Sequence, residues 1–172
     1  MPKVNYSTTK GLYQESGSNL ALTGGSLSSK RPVVALSDAG AATLNRGDLK
    51  VSESGTLFTV PALTSGTQTI GLPAVAAATV GVTYSFVTVA TTGQILSLLG
   101  NGSDKIIAAW PKGDGDNAAI SQAYATSFSF AAAAVIGSHF SITCISSAAG
   151  TGWLVTEVVD GLAANTGCFS AA

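Results

Sequence analysis

A chain with a single histidine has little from which to build a proton relay. His139 stands between Ser138 and Phe140 in an alternating stretch. A hydrolytic triad needs a base held against a nucleophile and a third group to orient that base. No Gly-x-Ser-x-Gly turn is present to offer a serine. His139 is therefore expected on a strand, facing solvent or an interface. The two cysteines, Cys144 and Cys168, fit no metal-ligand spacing, and Cys144 is expected as a small buried apolar residue. The stretch Lys112-Gly113-Asp114-Gly115-Asp116-Asn117 places hard oxygens close together, as calcium requires. The rest of a calcium loop is missing, because no further acid occurs before Glu157. Asp, Asn and Gly are also ordinary turn formers, so a surface turn is expected at Asp114 and Asp116, with no metal. Gly113 and Gly115 lack the remainder of a phosphate-binding fingerprint. Glu53, Glu157 and Asp160 show no pairing suited to acid–base work on a glycosidic bond. No catalytic residue and no cofactor is expected, and the chain reads as a non-enzyme.

What surrounds these few groups is unusually neutral. Charged residues make up 10% of the 172, against about 25% in ordinary soluble domains, and the mean hydropathy is +0.40. Interface cores are depleted of charge, so the composition predicts an assembly subunit. The charge that exists is unevenly placed. Residues 1–50 hold six basic and three acidic residues, net +3, and the remainder holds two basic and six acidic, net −4. There is no Lys/Arg cluster or basic stripe interleaved with aromatics, which argues against nucleic acid. The opening Met1-Pro2-Lys3-Val4-Asn5-Tyr6 lacks the apolar core of a secretory signal. The run Ala131 to Ile136 is far short of a membrane span, so no membrane partner is expected.

The first thirty residues are polar, glycine-punctuated and without helical period, with Tyr6, Leu12, Tyr13, Leu20 and Leu22 as isolated apolar anchors. Such a segment cannot bury enough to offset its ordering entropy. It is expected as an extended arm that orders only against a partner. From Pro32 onward, strand patterns recur: 33–36, 56–60, 67–72, 82–89, 94–99, 104–110, 125–130, 138–146 and 152–159. In the 82–89 stretch Val82, Tyr84, Phe86 and Thr88 share one face. Gly100-Asn101-Gly102-Ser103 has the composition of a hairpin turn between its two neighbours. Trp153 is expected in or at the edge of the core, and Trp110, before Pro111, at a strand end. The alanine runs at 74–78 and 131–134 are too short for helices; the first reads as a loop and the second as a turn or a Greek-key crossing. Many short strands with turn signals between them predict an all-β, antiparallel β-sandwich or jelly roll. The expected division is an arm over residues 1–31, a sandwich over 32–162 and a tail over 163–172.

Several of these segments together resemble structural proteins of tailed bacteriophages. They are Thr69-Ile70-Gly71-Leu72-Pro73-Ala74, Gly81-Val82-Thr83-Tyr84-Ser85-Phe86-Val87, Ser103-Asp104-Lys105-Ile106-Ile107, Phe140-Ser141-Ile142-Thr143 and Gly152-Trp153-Leu154-Val155. The opening Thr9-Lys10-Gly11-Leu12-Tyr13-Gln14-Glu15-Ser16-Gly17 is similar to the start of such virion proteins. The resemblance covers about half of the chain and is to capsid decoration (cement) proteins and head fibres. It implies a β-sandwich on the outer capsid surface of the virion, made in the bacterial cytoplasm, with the major capsid protein as partner and a homotrimer as the assembled form. On this reading the charge excess and spaced anchors of the arm make Lys3, Tyr6, Lys10, Leu12, Tyr13 and Leu20 the capsid-binding residues. The alternative is a head-fibre or tail-fibre module that binds a host surface glycan or protein.

Overall fold

A computed structural model of the chain describes residues 4–7, 11–14, 31–37, 47–111, 120–148, 152–159 and 169–171. The chain divides into two compact units, Met1–Lys30 and Arg31–Ala172. In the first unit, β1 (Val4–Ser7) and β2 (Gly11–Gln14) pair antiparallel, with Tyr6 opposite Leu12 and Asn5 opposite Tyr13. The arm was expected to lack structure of its own; it contains this hairpin instead. Its isolated apolar positions hid the pairing, because no run in it is long enough to read as a strand.

The second unit is built from β3 (Val33–Ala35), β4 (Leu57–Val60), β5 (Gln68–Gly71), β6 (Thr83–Thr88), β7 (Leu96–Leu99), β8 (Ile106–Pro111), β9 (Ile120–Ala125), β10 (Ser127–Phe130), β11 (His139–Cys144), β12 (Trp153–Val159) and β13 (Phe169–Ala171). They form a seven-stranded sheet, in the order β3-β4-β6-β11-β12-β8-β9, and a four-stranded sheet, β13-β10-β7-β5. The all-β expectation holds. The antiparallel one holds only in part, since β3, β4 and β6 run parallel to one another, as do β12 with β8 and β5 with β7.

The parallel pairs follow from how the chain moves. From β4 to β8 each strand lies in the sheet opposite to its predecessor's. Two strands of one sheet, separated by one strand of the other, are brought back pointing the same way. Residues 100–105 therefore do not close a hairpin: β7 and β8 belong to different sheets. Residues 131–138 likewise carry the chain across, from β10 to β11. The 74–78 stretch contributes to a loop that ends in a single 3-10 turn, Ala77–Thr79. Residues 169–171, expected within a tail, supply the strand β13 paired to β10.

Alternation decides which side chains enter the core. Val82, Tyr84, Phe86 and Thr88 are all buried, as their shared face predicted. Phe140, Ile142 and Cys144 of β11 are buried beside them, and Trp153 of β12 is fully buried. Aromatic rings join the two sheets: Phe140 meets Phe128 edge-on with ring centroids 4.9 Å apart, and also contacts Phe130 and Phe169. Within the seven-stranded sheet Phe58 stacks on Phe86 at 5.2 Å, and Tyr84 on Trp153 at 5.9 Å. Rings in such offset arrangements add about 0.5–1.5 kcal/mol per pair beyond the area they bury. The Tyr84 hydroxyl reaches the Lys50 carbonyl at 2.9 Å.

Candidate interaction surface

The outward face of the seven-stranded sheet carries a row of polar contacts between distant parts of the chain. It follows from strand parity. With Tyr84 and Phe86 turned inward, Thr83 and Ser85 face outward. On β11, Ser141 and Thr143 do the same. The register places Ser85 opposite Ser141 and Thr83 opposite Thr143. Both rungs are bonded, with the serine hydroxyls 2.6 Å apart and the threonine hydroxyls 2.9 Å apart.

Charges close the serine rung at both ends. The Arg31 guanidinium donates through Nε to the Gly55 carbonyl at 2.8 Å and through a terminal nitrogen to the Ser85 hydroxyl. On the other side the Ser141 hydroxyl donates to Glu157 Oε2 at 2.9 Å. A serine has one proton to give. Because Ser141 gives its proton to Glu157, Ser85 must donate to Ser141 and accept from Arg31. The chain Arg31 to Ser85 to Ser141 to Glu157 thus has one direction, with a cation at its head and an anion at its foot. Hydrogen bonds arranged this way polarise one another.

Glu157 reaches its place through a distortion of β12. Its φ is +53°, a left-handed conformation that costs a non-glycine residue energy. At this point two steps on β11, from His139 to Ser141, face three on β12, from Val159 to Thr156. The extra residue makes a β-bulge, a device that re-aims a side chain. Here it turns the carboxylate back onto Ser141.

Chemically the arrangement is a clamp. The Ser85 and Ser141 side chains are 6% and 7% exposed and both hydroxyls are committed within the chain. His139, on β11, has its Nδ1 3.0 Å from the Gly137 carbonyl. Of the arm residues named as contacts, Tyr6, Leu12 and Tyr13 take their register positions in the β1–β2 hairpin. Lys3, Lys10 and Leu20 lie outside the described residues, as do Asp114, Asp116, Asn117 and Cys168. Trp110 lies within β8, directly before its last residue.

A scan against protein-family models finds none that matches this chain, and a search of curated proteins likewise finds no match.

The clamp is open to measurement. Ser141→Ala removes the acceptor of a largely buried hydroxyl and the donor to Glu157. Leaving such a group unsatisfied costs about 1–3 kcal/mol. Chemical denaturation of Ser141→Ala should show a loss in this range. Arg31 and Glu157 are themselves solvent-exposed, so Glu157→Gln, which keeps an acceptor, should cost less. Equal stability of Ser141→Ala and wild type would mean that the chain contributes nothing.

Proposed function

We propose that this chain is a structural protein of a phage virion, a capsid decoration (cement) protein that binds the outer capsid surface and stabilises the shell. In this reading the two sheets are the layers of a β-sandwich or jelly roll, copies associate as a homotrimer, and the arm grips the major capsid protein. The observation that carries it is the division of the chain at Lys30. Ahead of that point lies a small unit with three lysines and one acid; behind it lies a body in which residues 54–103 carry no charge. A body with so long an uncharged stretch, joined to a basic segment, suits a protein whose work is holding others together. The ring contacts of Phe140 with Phe128, Phe130 and Phe169 support two packed layers. The clamp supports a non-enzymatic role, because it engages both of its serines in a directional chain with no histidine.

Deleting residues 2–25 tests it. The remaining body contains all of the second unit and should keep its circular dichroism spectrum and thermal transition. It should lose at least tenfold in affinity for purified capsids, read by co-sedimentation. Unchanged capsid binding by the truncated protein would remove the arm from the reading. Binding of the full chain to host cells and not to capsids would favour the fibre alternative.

A further inference from the structure

The turn that carries the chain from β7 to β8 is held at both ends and open at its tip. Gly100 N–H is bonded to the Thr126 carbonyl at 2.8 Å, and Asp104 N–H returns to the Asn101 carbonyl at 2.9 Å. Asp104 is buried, and its carboxylate accepts from Val75 N–H at 2.8 Å, which ties the loop after β5 to this turn. Between these fixed points Asn101, Gly102 and Ser103 are exposed. Neither the Asn101 side chain nor Gly102 N–H makes a hydrogen bond among the described residues. Gly102 has φ +58° and open space where a Cβ would stand.

An asparagine followed by glycine has a chemistry of its own. The backbone nitrogen after an asparagine can reach that asparagine's side-chain carbonyl carbon. Every following residue except glycine crowds this nitrogen with a Cβ and restricts the rotations that bring the two atoms together. Of the six asparagines in the chain, only Asn101 is followed by glycine. Its nitrogen is also free of the hydrogen bond that would hold it in place.

We infer that Asn101 is a site of spontaneous covalent modification, at which the chain cyclises on itself and opens again as aspartate or isoaspartate. Gly102 N gives its proton to solvent base and attacks Asn101 Cγ. The N–Cγ bond forms, the Cγ–Nδ2 bond breaks, and the amide nitrogen leaves as ammonia. Water then adds to one of the two carbonyls of the resulting succinimide. Breaking the bond from Gly102 N to Cγ gives aspartate; breaking the bond from Gly102 N to the main-chain carbonyl carbon gives isoaspartate. The sum is an amide and water converted to an acid and ammonia, with no change of oxidation state.

The product alters the turn in two ways. It places a carboxylate in the otherwise uncharged stretch 54–103, three positions from Asp104. Isoaspartate also lengthens the main chain by one carbon and removes the peptide carbonyl that accepts from Asp104 N–H. There is no slack to absorb this, because a Cβ on Gly100 would already lie 2.2 Å from the Asp104 carbonyl oxygen. The change therefore loosens Asp104 and, through it, the loop at Val75.

The test is to hold the full folded chain at mildly alkaline pH and follow each asparagine by peptide mass spectrometry. Asn101→Gln, Gly102→Ala and wild type unfolded in urea run alongside. Conversion exchanges an amino group for a hydroxyl, which the peptide mass records, and isoaspartate separates by chromatography from aspartate of equal mass. Asn101 should convert about tenfold or more faster than any other asparagine, and Gly102→Ala should slow it about tenfold, because a Cβ then crowds the attacking nitrogen. The folded chain should keep at least about a tenth of the rate seen in urea, since no local opening is needed to free the reacting groups. As the converted fraction grows, the wild-type thermal transition should fall. That of Asn101→Gln, whose longer side chain closes the ring poorly, should hold. Faster conversion at another asparagine, stronger protection of residue 101 in the folded chain, or a thermal transition unchanged by conversion would each overturn the inference.

Discussion

Trp153→Ala should produce a loss of stability among the largest that a single substitution can cause in this fold. Trp153 is fully buried and stacks on Tyr84. Truncating a buried aromatic of this size typically costs about 3–5 kcal/mol, a large part of the roughly 5–15 kcal/mol that holds a domain together. The midpoint of denaturant unfolding should fall steeply. One detail separates Trp153→Phe from the alanine variant. The indole Nε1 is buried and has no hydrogen-bond partner among the described residues, and an unsatisfied buried donor is itself unfavourable. Phenylalanine removes that donor while keeping most of the ring, so its cost should be less than half that of alanine. Equal losses for the two variants would show that ring packing is not what Trp153 contributes.

The second large effect is expected at Gly100, where β7 ends and the chain turns toward β8. A Cβ placed there would lie 2.2 Å from the Asp104 carbonyl oxygen and 3.4 Å from that of Thr126. Both obstacles are backbone. Gly100 N–H is bonded to the Thr126 carbonyl at 2.8 Å and Asp104 N–H to Asn101 at 2.9 Å, so neither wall moves freely. The Asp104 side chain adds to the rigidity by accepting from Val75 N–H at 2.8 Å. Overpacking ordinarily costs about 1–3 kcal/mol, and Gly100→Ala should reach the top of that range. Gly102, two residues on, is the control. It has φ +58° and open space around its Cα, so Gly102→Ala brings only conformational strain, about 1–2 kcal/mol. Thermal melts should rank Gly100→Ala below Gly102→Ala; the reverse order would refute the steric account.

The strands were readable where one face of the sheet is apolar and the other small and polar. β6 shows this best, and the same alternation marks β11 and the start of β12. β9 escaped notice because Ile120-Ser121-Gln122-Ala123-Tyr124 has too little contrast between its two faces. Partnership was harder to read than existence. The composition of residues 100–103 says that the chain turns, and nothing in it says whether the following strand returns to the same sheet. The parallel pairs were hidden for the same reason. The clamp was invisible because Arg31, Ser85, Ser141 and Glu157 lie far apart in sequence and serine is a common surface residue. The one available clue was parity: Ser85 and Ser141 both fall at outward positions of alternating strands. Glu157 gave none, since its reach depends on a bulge that a regular pattern does not announce.

The repeated crossing between sheets also bears on how the molecule forms. Among the described residues of the second unit, only β3 with β4, β8 with β9 and β11 with β12 pair as consecutive strands, and β3 and β4 stand more than twenty residues apart. Every other pairing waits for a distant segment: β4 must find β6, β6 must find β11, and β10 must find β13 near the end of the chain. Loop-closure entropy has to be overcome before such contacts return any energy, and folds of this kind assemble in milliseconds to seconds, where local ones take microseconds. During that interval the neutral stretch 54–103 stands partly exposed with no charge to keep neighbouring chains apart. Yield on refolding should therefore fall as protein concentration rises. Once closed, the same interlacing works in the opposite sense, because no strand near the middle of either sheet can leave without breaking pairs on both of its sides.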